Sequence, residues 1–305
     1  MLYLYVDSDR EIWQESLQLK LPLDVVAWPH SVDAEQVEYV AAWNPPDGFF
    51  APFTHLKGIF ALGAGLDRFH KRDDIAPGTP LIRLTDAGMA QQMLEYVLHG
   101  ILHFQRDFDR YLQQQEQNIW QSWPYRSARE LRVSVLGLGE LGGHVAQVLA
   151  QLGYQVQGWS RTPKHLEGIT TCHGMAALPN LLQHTDVLVS ILPSTPETRG
   201  LLNADTLILL PRGAVVINAG RGDLIELRAL IDQLDSGHLR GAQLDVFPQE
   251  PLTAENPIWQ HPKLIITPHV AAATLVEEAT SQIASKLAQW QQGQSVAGLV
   301  TKAAV

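Results

Sequence analysis

The sequence predicts an α/β chain made of two parallel-sheet domains. Three observations carry that expectation. At 305 residues the chain has room for two domains of ordinary size. Short apolar runs alternate with helix-patterned segments along most of it, the mark of strands joined by helical crossovers. One long proline-free helical stretch, at 88–117, separates an earlier set of such runs from a later one.

The earlier runs are LYLYV at 2–6, DVVAW at 24–28, YVAAW at 39–43, GIFAL at 58–62 and PLIRL at 80–84. Helical patterns or turns lie between them, which reads as a small parallel α/β unit. At 88–117 the character changes. Met89, Met93, Tyr96, Val97, Gly100, Ile101, Phe104, Phe108 and Tyr111 recur at helical spacing. They predict one long helix, with room for a single break, that passes from one domain to the next. Its methionines read as packing residues. Six candidate strands follow: RVSVLGL (132–138), YQVQGWS (154–160), DVLVSIL (186–192), AVVINA (214–219), AQLDVF (242–247) and LIITP (264–268). Helical patterns such as 143–153 and 224–237 separate them, so the later set predicts a doubly wound sheet. Beyond His269, 273–293 is a last amphipathic helix.

Composition narrows the function classes. The chain is 46% hydrophobic and 18% charged, enough for a sizeable core. Its net charge is −10, with no basic run. That disfavours nucleic acid and membrane surfaces as partners, and any anionic ligand needs a local basic pocket. Cys172 is the only cysteine, so neither an intrachain disulfide nor a cysteine-based metal site is expected. This fits a reducing cytoplasm. Cys172 reads as a packing or surface residue in preference to a catalytic thiol. The opening MLYLYVDSDREIW lacks a basic segment and meets Asp7 and Asp9 early, so it reads as a strand and not a signal peptide. No apolar run approaches the length of a membrane span.

The stretch VSVLGLGELGG carries Gly137, Gly139 and Gly142 as G-x-G-x-x-G. Alone that spacing is weak. Here it ends an apolar strand and opens an amphipathic helix with Leu141, Val145, Val148, Leu149 and Leu152 on one face, the context of a Rossmann-like dinucleotide site. Gly137 permits the tight turn, Gly139 lets backbone approach a pyrophosphate, and Gly142 lets helix and sheet pack closely. The next strand ends in GWSRTP, where an acid would bind the adenine-side ribose. None is present. Ser160, Arg161, Thr162 and Lys164 offer donors and positive charge that suit a 2′-phosphate, so NADP is expected over NAD. The other reading is a solvated basic turn.

Three polar residues fall at three later strand ends: Arg221 in NAGRG, Glu250 in DVFPQEP and His269 in TPHVAAAT. Ligands of open α/β sheets sit at such ends. A guanidinium can hold a carboxylate and polarise a carbonyl. An imidazolium can protonate a nascent alkoxide. A carboxylate beside it orients the ring and favours its charged form. Each residue also has a bland reading: a surface arginine, a solvated glutamate, a helix-capping histidine. Together, after a dinucleotide loop, they favour catalysis.

With these motifs in order, GLGELG, LPSTPETRGLL (192–202), INAGRG (217–222), GAQLDVFPQEPL (241–252) and ITPHVAAAT (266–274), the chain resembles the D-isomer-specific 2-hydroxyacid dehydrogenases. ALGAGLD (61–67) and the helix at 88–98 extend the likeness into the first half. AAWNPP (41–46), RLTDAGMAQQMLEY (83–96), WSRTPK (159–164) and PIWQHP (257–262) are most similar to the glyoxylate/hydroxypyruvate reductase A subgroup. The resemblance implies Arg221, Glu250 and His269 as the catalytic set, and Arg221 and His269 as substrate contacts. It implies a substrate carboxylate held by backbone amides near Gly63, Ala64 and Gly65, with Trp43 beside a small pocket; Trp43 also fits a core position. Glu140, Leu141, Leu192, Pro193, Ala219 and Gly220 join the implied cofactor set. Asp245 resembles the aspartate that faces the nicotinamide amide, or is a buried structural acid. Gly220 stands where relatives often carry Ala, and alanines follow His269 where many carry Gly or Ser.

The implied fold is two Rossmann-like or flavodoxin-like domains with a cleft between them: 1–98 with 279–305 for substrate, and 99–278 for the dinucleotide. The implied activity is NADPH-dependent reduction of small 2-oxo acids, glyoxylate and hydroxypyruvate first, by a cytoplasmic homodimer. An NAD-linked D-lactate or phosphoglycerate dehydrogenase is the close alternative. The missing strand-end acid argues against it, and the early end of the chain argues against a regulatory domain. A dinucleotide-sensing protein on the same fold is the distant alternative.

Overall fold

In a computed structural model that describes residues 1–63 and 65–302, every apolar run of the earlier set forms a strand. These are β1 (Leu2–Tyr5), β2 (Val25–Ala27), β3 (Tyr39–Ala42), β4 (Gly58–Ala61) and β5 (Pro80–Arg83), with α1 (Arg10–Lys20) after β1 and a short α2 (Asp67–His70) before β5. β3 and β4 are buried along their whole length, as parallel strands covered on both faces must be.

The long helical stretch is two helices, α3 (Met89–Gln105) and α4 (Phe108–Glu116). The break falls at Asp107, whose φ is +58°. Its carboxylate is drawn to Arg240 at 2.7 Å and Arg110 at 3.2 Å, which accounts for the turn out of the helix. The later set follows: β6 (Arg132–Leu136), α5 (Glu140–Gln151), β7 (Gln155–Ser160), β8 (Thr170–His173), α6 (Leu178–Gln183), β9 (Val187–Ser190), α7 (Ala204–Leu207), β10 (Ala214–Asn218), α8 (Leu227–Asp235), β11 (Leu239–Leu244) and β12 (Leu264–Ile266). They end in α9 (Val276–Gln291) and β13 (Leu299–Thr301).

Two sheets result. One runs β13-β5-β4-β3-β1-β2, parallel except for the antiparallel edge strand β13. The other is a parallel, seven-stranded sheet, β12-β11-β10-β9-β6-β7-β8. Six strands were expected there; β8 is the addition. Its sequence TTCH has no buried position, because it is an edge strand open to solvent. β13 was not expected either, and all three of its residues are exposed.

The chain divides into two compact units, Met1–Met89 with Ala273 onward, and Ala90–Ala272. The division falls short of the expected 98/99 and 278/279 for a packing reason. Met93, Leu94, Val97, Ile101 and Phe104 of α3 are buried with Val133, Val135 and Ile217 of the second sheet, so nearly all of that helix belongs to its unit. At the return, Leu275 N–H bonds to Ala87 O at 3.0 Å and Thr274 Oγ1 to Leu62 O at 3.1 Å, holding 274–275 in the first unit. Among the described residues, no helix is long and apolar enough to cross a membrane.

Candidate active site

The second sheet reverses its strand order between β6 and β9. That is the switch point where open α/β sheets bind ligands. The glycine loop leaves β6 there. Gly137 has φ +102°, and a Cβ on it would lie 2.8 Å from Ile191 O. A Cβ on Gly142 would lie 1.8 Å from Gly137 O, so the first turn of α5 touches the loop directly. Gly139, the N-cap of α5, is the opposite: a Cβ there would meet nothing within 4 Å. The loop is tight on its protein side and open on the side of the helix N-terminus. That cradle fits a pyrophosphate approached by backbone N–H groups. Glu140 is exposed in the first turn of α5, while Leu141 packs on the core. Leu192 sits between two glycines of the site. Its Cδ2 is 3.2 Å from a Cβ built on Gly137, and its backbone O is 2.7 Å from one built on Gly220. Pro193 and Ala219 adjoin these contacts in sequence, and Ala219 is buried.

At the end of β7, Trp159 and Ser160 are buried. The Ser160 hydroxyl donates to Thr162 O at 2.8 Å. Its proton closes the turn, so Ser160 shapes the loop instead of offering a free donor. Arg161, Thr162 and Lys164 stand exposed on it. No carboxylate occupies this strand end. Glu197 lies within the reach of Arg161's charge. Its carboxyl is held below the usual range first by the Thr195 hydroxyl and, more weakly, by Arg161. Glu197 had no signal in the sequence beyond its place in 192–202.

The proposed catalytic residues emerge from the ends of three adjacent strands, β10, β11 and β12. Arg221 follows β10 on a loop braced by Asn218, whose side chain donates to Arg221 O at 2.9 Å and accepts from Gly220 N–H at 3.2 Å. A Cβ on Gly222 would lie 1.9 Å from the Phe247 carbonyl carbon. Only glycine lets the Arg221 loop press so closely on the segment after β11. Phe247 N–H in turn donates to Glu250 Oε1 at 3.0 Å, and Glu250 Oε2 meets His269 Nδ1 at 2.8 Å. A carboxylate oxygen only accepts, so Nδ1 carries a proton toward Glu250 and Nε2 is left for other work. His269 is partly exposed and has φ +58°, a left-handed conformation uncommon for any residue but glycine.

Asp245 is buried beneath this loop. Its Oδ1 accepts from Thr267 Oγ1 at 2.6 Å and Val270 N–H at 2.8 Å, and its Oδ2 from Ala271 N–H at 2.9 Å. His269 N–H bonds to Asp245 O at 2.8 Å. These contacts fix Asp245 beneath the 267–271 backbone. In the first unit, Trp43 is 44% exposed, which removes the core reading. A Cβ on Gly63 would lie 2.5 Å from its ring. Gly65 lies two residues on, and Ala64 lies outside the described residues. Burial pushes the Cys172 thiol up, away from nucleophilic chemistry.

A glycine cradle at the switch point and an oriented imidazole beyond it define a dinucleotide-dependent oxidoreductase. The profile of the D-isomer specific 2-hydroxyacid dehydrogenase NAD binding domain matches residues 98–271. The chain belongs to the D-isomer-specific 2-hydroxyacid dehydrogenase family. It is 39% identical over 293 residues to glyoxylate/hydroxypyruvate reductase A of Yersinia enterocolitica, covering 94% of each chain. A D-isomer specific 2-hydroxyacid dehydrogenase of Xanthobacter autotrophicus Py2, solved with NADPH and MES, is 42% identical with a TM-score of 0.93, over 98% of this chain and 97% of that one. The NADPH-dependent glyoxylate/hydroxypyruvate reductase of Sinorhizobium meliloti, solved with NADP and sulfate, is 32% identical with a TM-score of 0.92, over 99% and 98%.

Proposed function

We propose that the chain is an NADPH-dependent reductase of small 2-oxo acids, with glyoxylate and hydroxypyruvate as first substrates. The observation that carries this reading is the Glu250–His269 hydrogen bond at the strand ends beside the Arg221 loop. The dinucleotide, when bound, supplies the hydride. Arg221 binds the carboxylate and carbonyl oxygens of the substrate and draws charge toward oxygen. His269 delivers a proton from Nε2 to that oxygen as it becomes an alkoxide. Glu250 holds the ring by Nδ1, so that Nε2 faces the reacting oxygen. The exposed Arg161, Thr162 and Lys164, and the lack of an acid at this strand end, support a 2′-phosphorylated dinucleotide. The relatives solved with NADPH or NADP support the same choice. Gly63, Gly65 and Trp43, whose ring lies against Gly63, are assigned to substrate by resemblance. The protein is further proposed to work as a homodimer in the cytoplasm.

Steady-state oxidation of NADPH and NADH with glyoxylate, hydroxypyruvate and pyruvate tests this. NADPH with glyoxylate or hydroxypyruvate is expected to give the highest kcat/KM. Arg161→Ala is expected to lower NADPH preference about tenfold or more, one charge-assisted phosphate contact having that order of worth. Failure of both cofactors with all three acids overturns the reading. An unchanged preference in Arg161→Ala returns the GWSRTP turn to a solvated surface feature.

A further inference from the structure

Tyr96 and Thr267 are 171 residues apart in the chain, yet the Tyr96 hydroxyl lies 2.8 Å from Thr267 Oγ1. The direction of that bond follows from its neighbour. Thr267 has one hydroxyl proton, and Asp245 Oδ1, 2.6 Å away, can only accept it. Tyr96 must therefore donate to Thr267, and Thr267 to Asp245. Burial pushes the Tyr96 phenol up to about 12, so it keeps its proton at any working pH. Asp245 also accepts from the N–H groups of Val270 and Ala271, immediately after the proposed general acid. The backbone that presents His269 is thus held by Asp245 through its main-chain oxygen and its carboxylate, and that carboxylate is aimed by two hydroxyls in series.

Tyr96 is itself held in place. Gln243 Nε2 donates to Tyr96 O at 3.0 Å, and His99 Nδ1 meets Gln243 Oε1 at 2.8 Å. A Cβ on Gly100 would lie 2.8 Å from Ile217 Cδ1 and 2.9 Å from Gln243 Oε1, so glycine at that turn lets α3 approach the sheet closely enough for Tyr96 to reach Thr267.

We propose that Tyr96 and Thr267 are positioning residues for the reaction: their relay through Asp245 holds the 269–271 backbone, and with it the left-handed His269, in the geometry that transfers the proton. The proposal rests on His269 being the general acid. It ties a helix with no other part in the chemistry to the reacting group, entirely within the second unit.

The test pairs kinetics with amide hydrogen exchange on the full chain. Tyr96→Phe is expected to lower kcat about tenfold and Thr267→Val roughly 10²-fold, the scale of a small misplacement of a catalytic group. The KM for NADPH should be unchanged in both. Thr267→Ser restores the hydroxyl and should restore most of kcat. Because Tyr96 acts through Thr267, the double variant should lose no more than Thr267→Val alone. Exchange at the Val270 and Ala271 amides should accelerate in Thr267→Val and not in Thr267→Ser. Additive losses, unchanged kcat in both single variants, or Thr267→Ser no better than Thr267→Val would overturn the proposal. If the wild type reduces no 2-oxo acid, the functional reading fails while exchange still reports on the clamp. Unaltered exchange at 270 and 271 in Thr267→Val then sinks the clamp independently.

Discussion

At the scale of single residues, the most informative positions are those where an added methyl group separates folding from binding. Gly142 and Gly139 stand three residues apart with opposite surroundings. A Cβ on Gly142 collides with Gly137 O at 1.8 Å, and backbone on both sides leaves little room to yield. A Cβ on Gly139 meets open space, and its φ of −78° suits any residue. Gly139→Ala is therefore expected to leave the melting temperature within a degree or two of wild type, since surface changes of this kind are worth within about 0.5 kcal/mol. It should weaken dinucleotide binding about tenfold or more by filling the space of the pyrophosphate. Gly142→Ala should lose binding and stability together. Calorimetric titration and thermal melts separate the two; a Gly139→Ala protein that binds as tightly as wild type would show that no phosphate lies there. His269 poses the related question of strain. A left-handed residue other than glycine costs of order 1–3 kcal/mol unless held, and the Asp245 contacts are what hold it. The glycine loop and the strand-end trio were legible because each is a local pattern. The clamp was not: Thr267 and Asp245 are 22 residues apart and Tyr96 is far from both, so no spacing announces them.

At the scale of elements, strands that carry an apolar run were readable, the edge strands β2 and β12 among them, and the edge strands β8 and β13 were not. β3, β4 and β10 are buried throughout and stood out as apolar runs. β8 carries no apolar run and β13 is three exposed residues, so hydrophobic pattern gives neither away. Two buried lysines brace the chain beside β13. Lys302, which follows it, donates to Ile75 O at 2.7 Å and to Arg72 O. Lys286 on α9 donates to Arg83 O at 2.6 Å, at the end of β5. Burial, with the Arg83 charge adding to it, lowers Lys286 to about 8. An unfolded lysine titrates near 10.4. Between these values the unfolded chain holds more protons, so this residue's contribution to stability rises with pH from about 8 to 10 and its charging penalty is fully present below 8. Wild type is expected to gain about 2 kcal/mol from this source between pH 7.5 and 9.5. Denaturant melts across that range should show the slope in wild type and a flatter one in Lys286→Met. Parallel slopes would mean that Lys286 keeps an ordinary affinity for its proton.

At the scale of the molecule, the division into two α/β units was legible from alternation and the long helical stretch between the two sets, but its boundaries were not. They depend on which core claims α3 and the 273–278 segment, and that is settled by packing between residues remote in sequence. Assembly is harder still to read, because it depends on what one chain leaves uncovered. After α4 the second unit carries Ile119, Trp120 and Tyr125 at 46%, 103% and 71% exposure, with Phe108 and Leu112 also exposed on α4. Arg110 and Arg106 cover Trp123 and Tyr125 at 4.3 and 5.6 Å, while Trp120 makes no ring contact among the described residues. Trp120, fully exposed and without a ring contact, is the kind of large apolar side chain that an interaction surface covers. If the proposed homodimer forms through this face, the contact falls in the Ala90–Ala272 unit. Sedimentation of the wild type should then give twice the 33.8 kDa chain mass. Trp120→Glu places a charge at the centre of the run and should shift the mass to one chain at micromolar concentration, without changing the melting profile of the isolated subunit's core. A dimer that survives Trp120→Glu together with Ile119→Glu would move the interface elsewhere on the unit, and a monomeric wild type would leave these aromatics to some other partner.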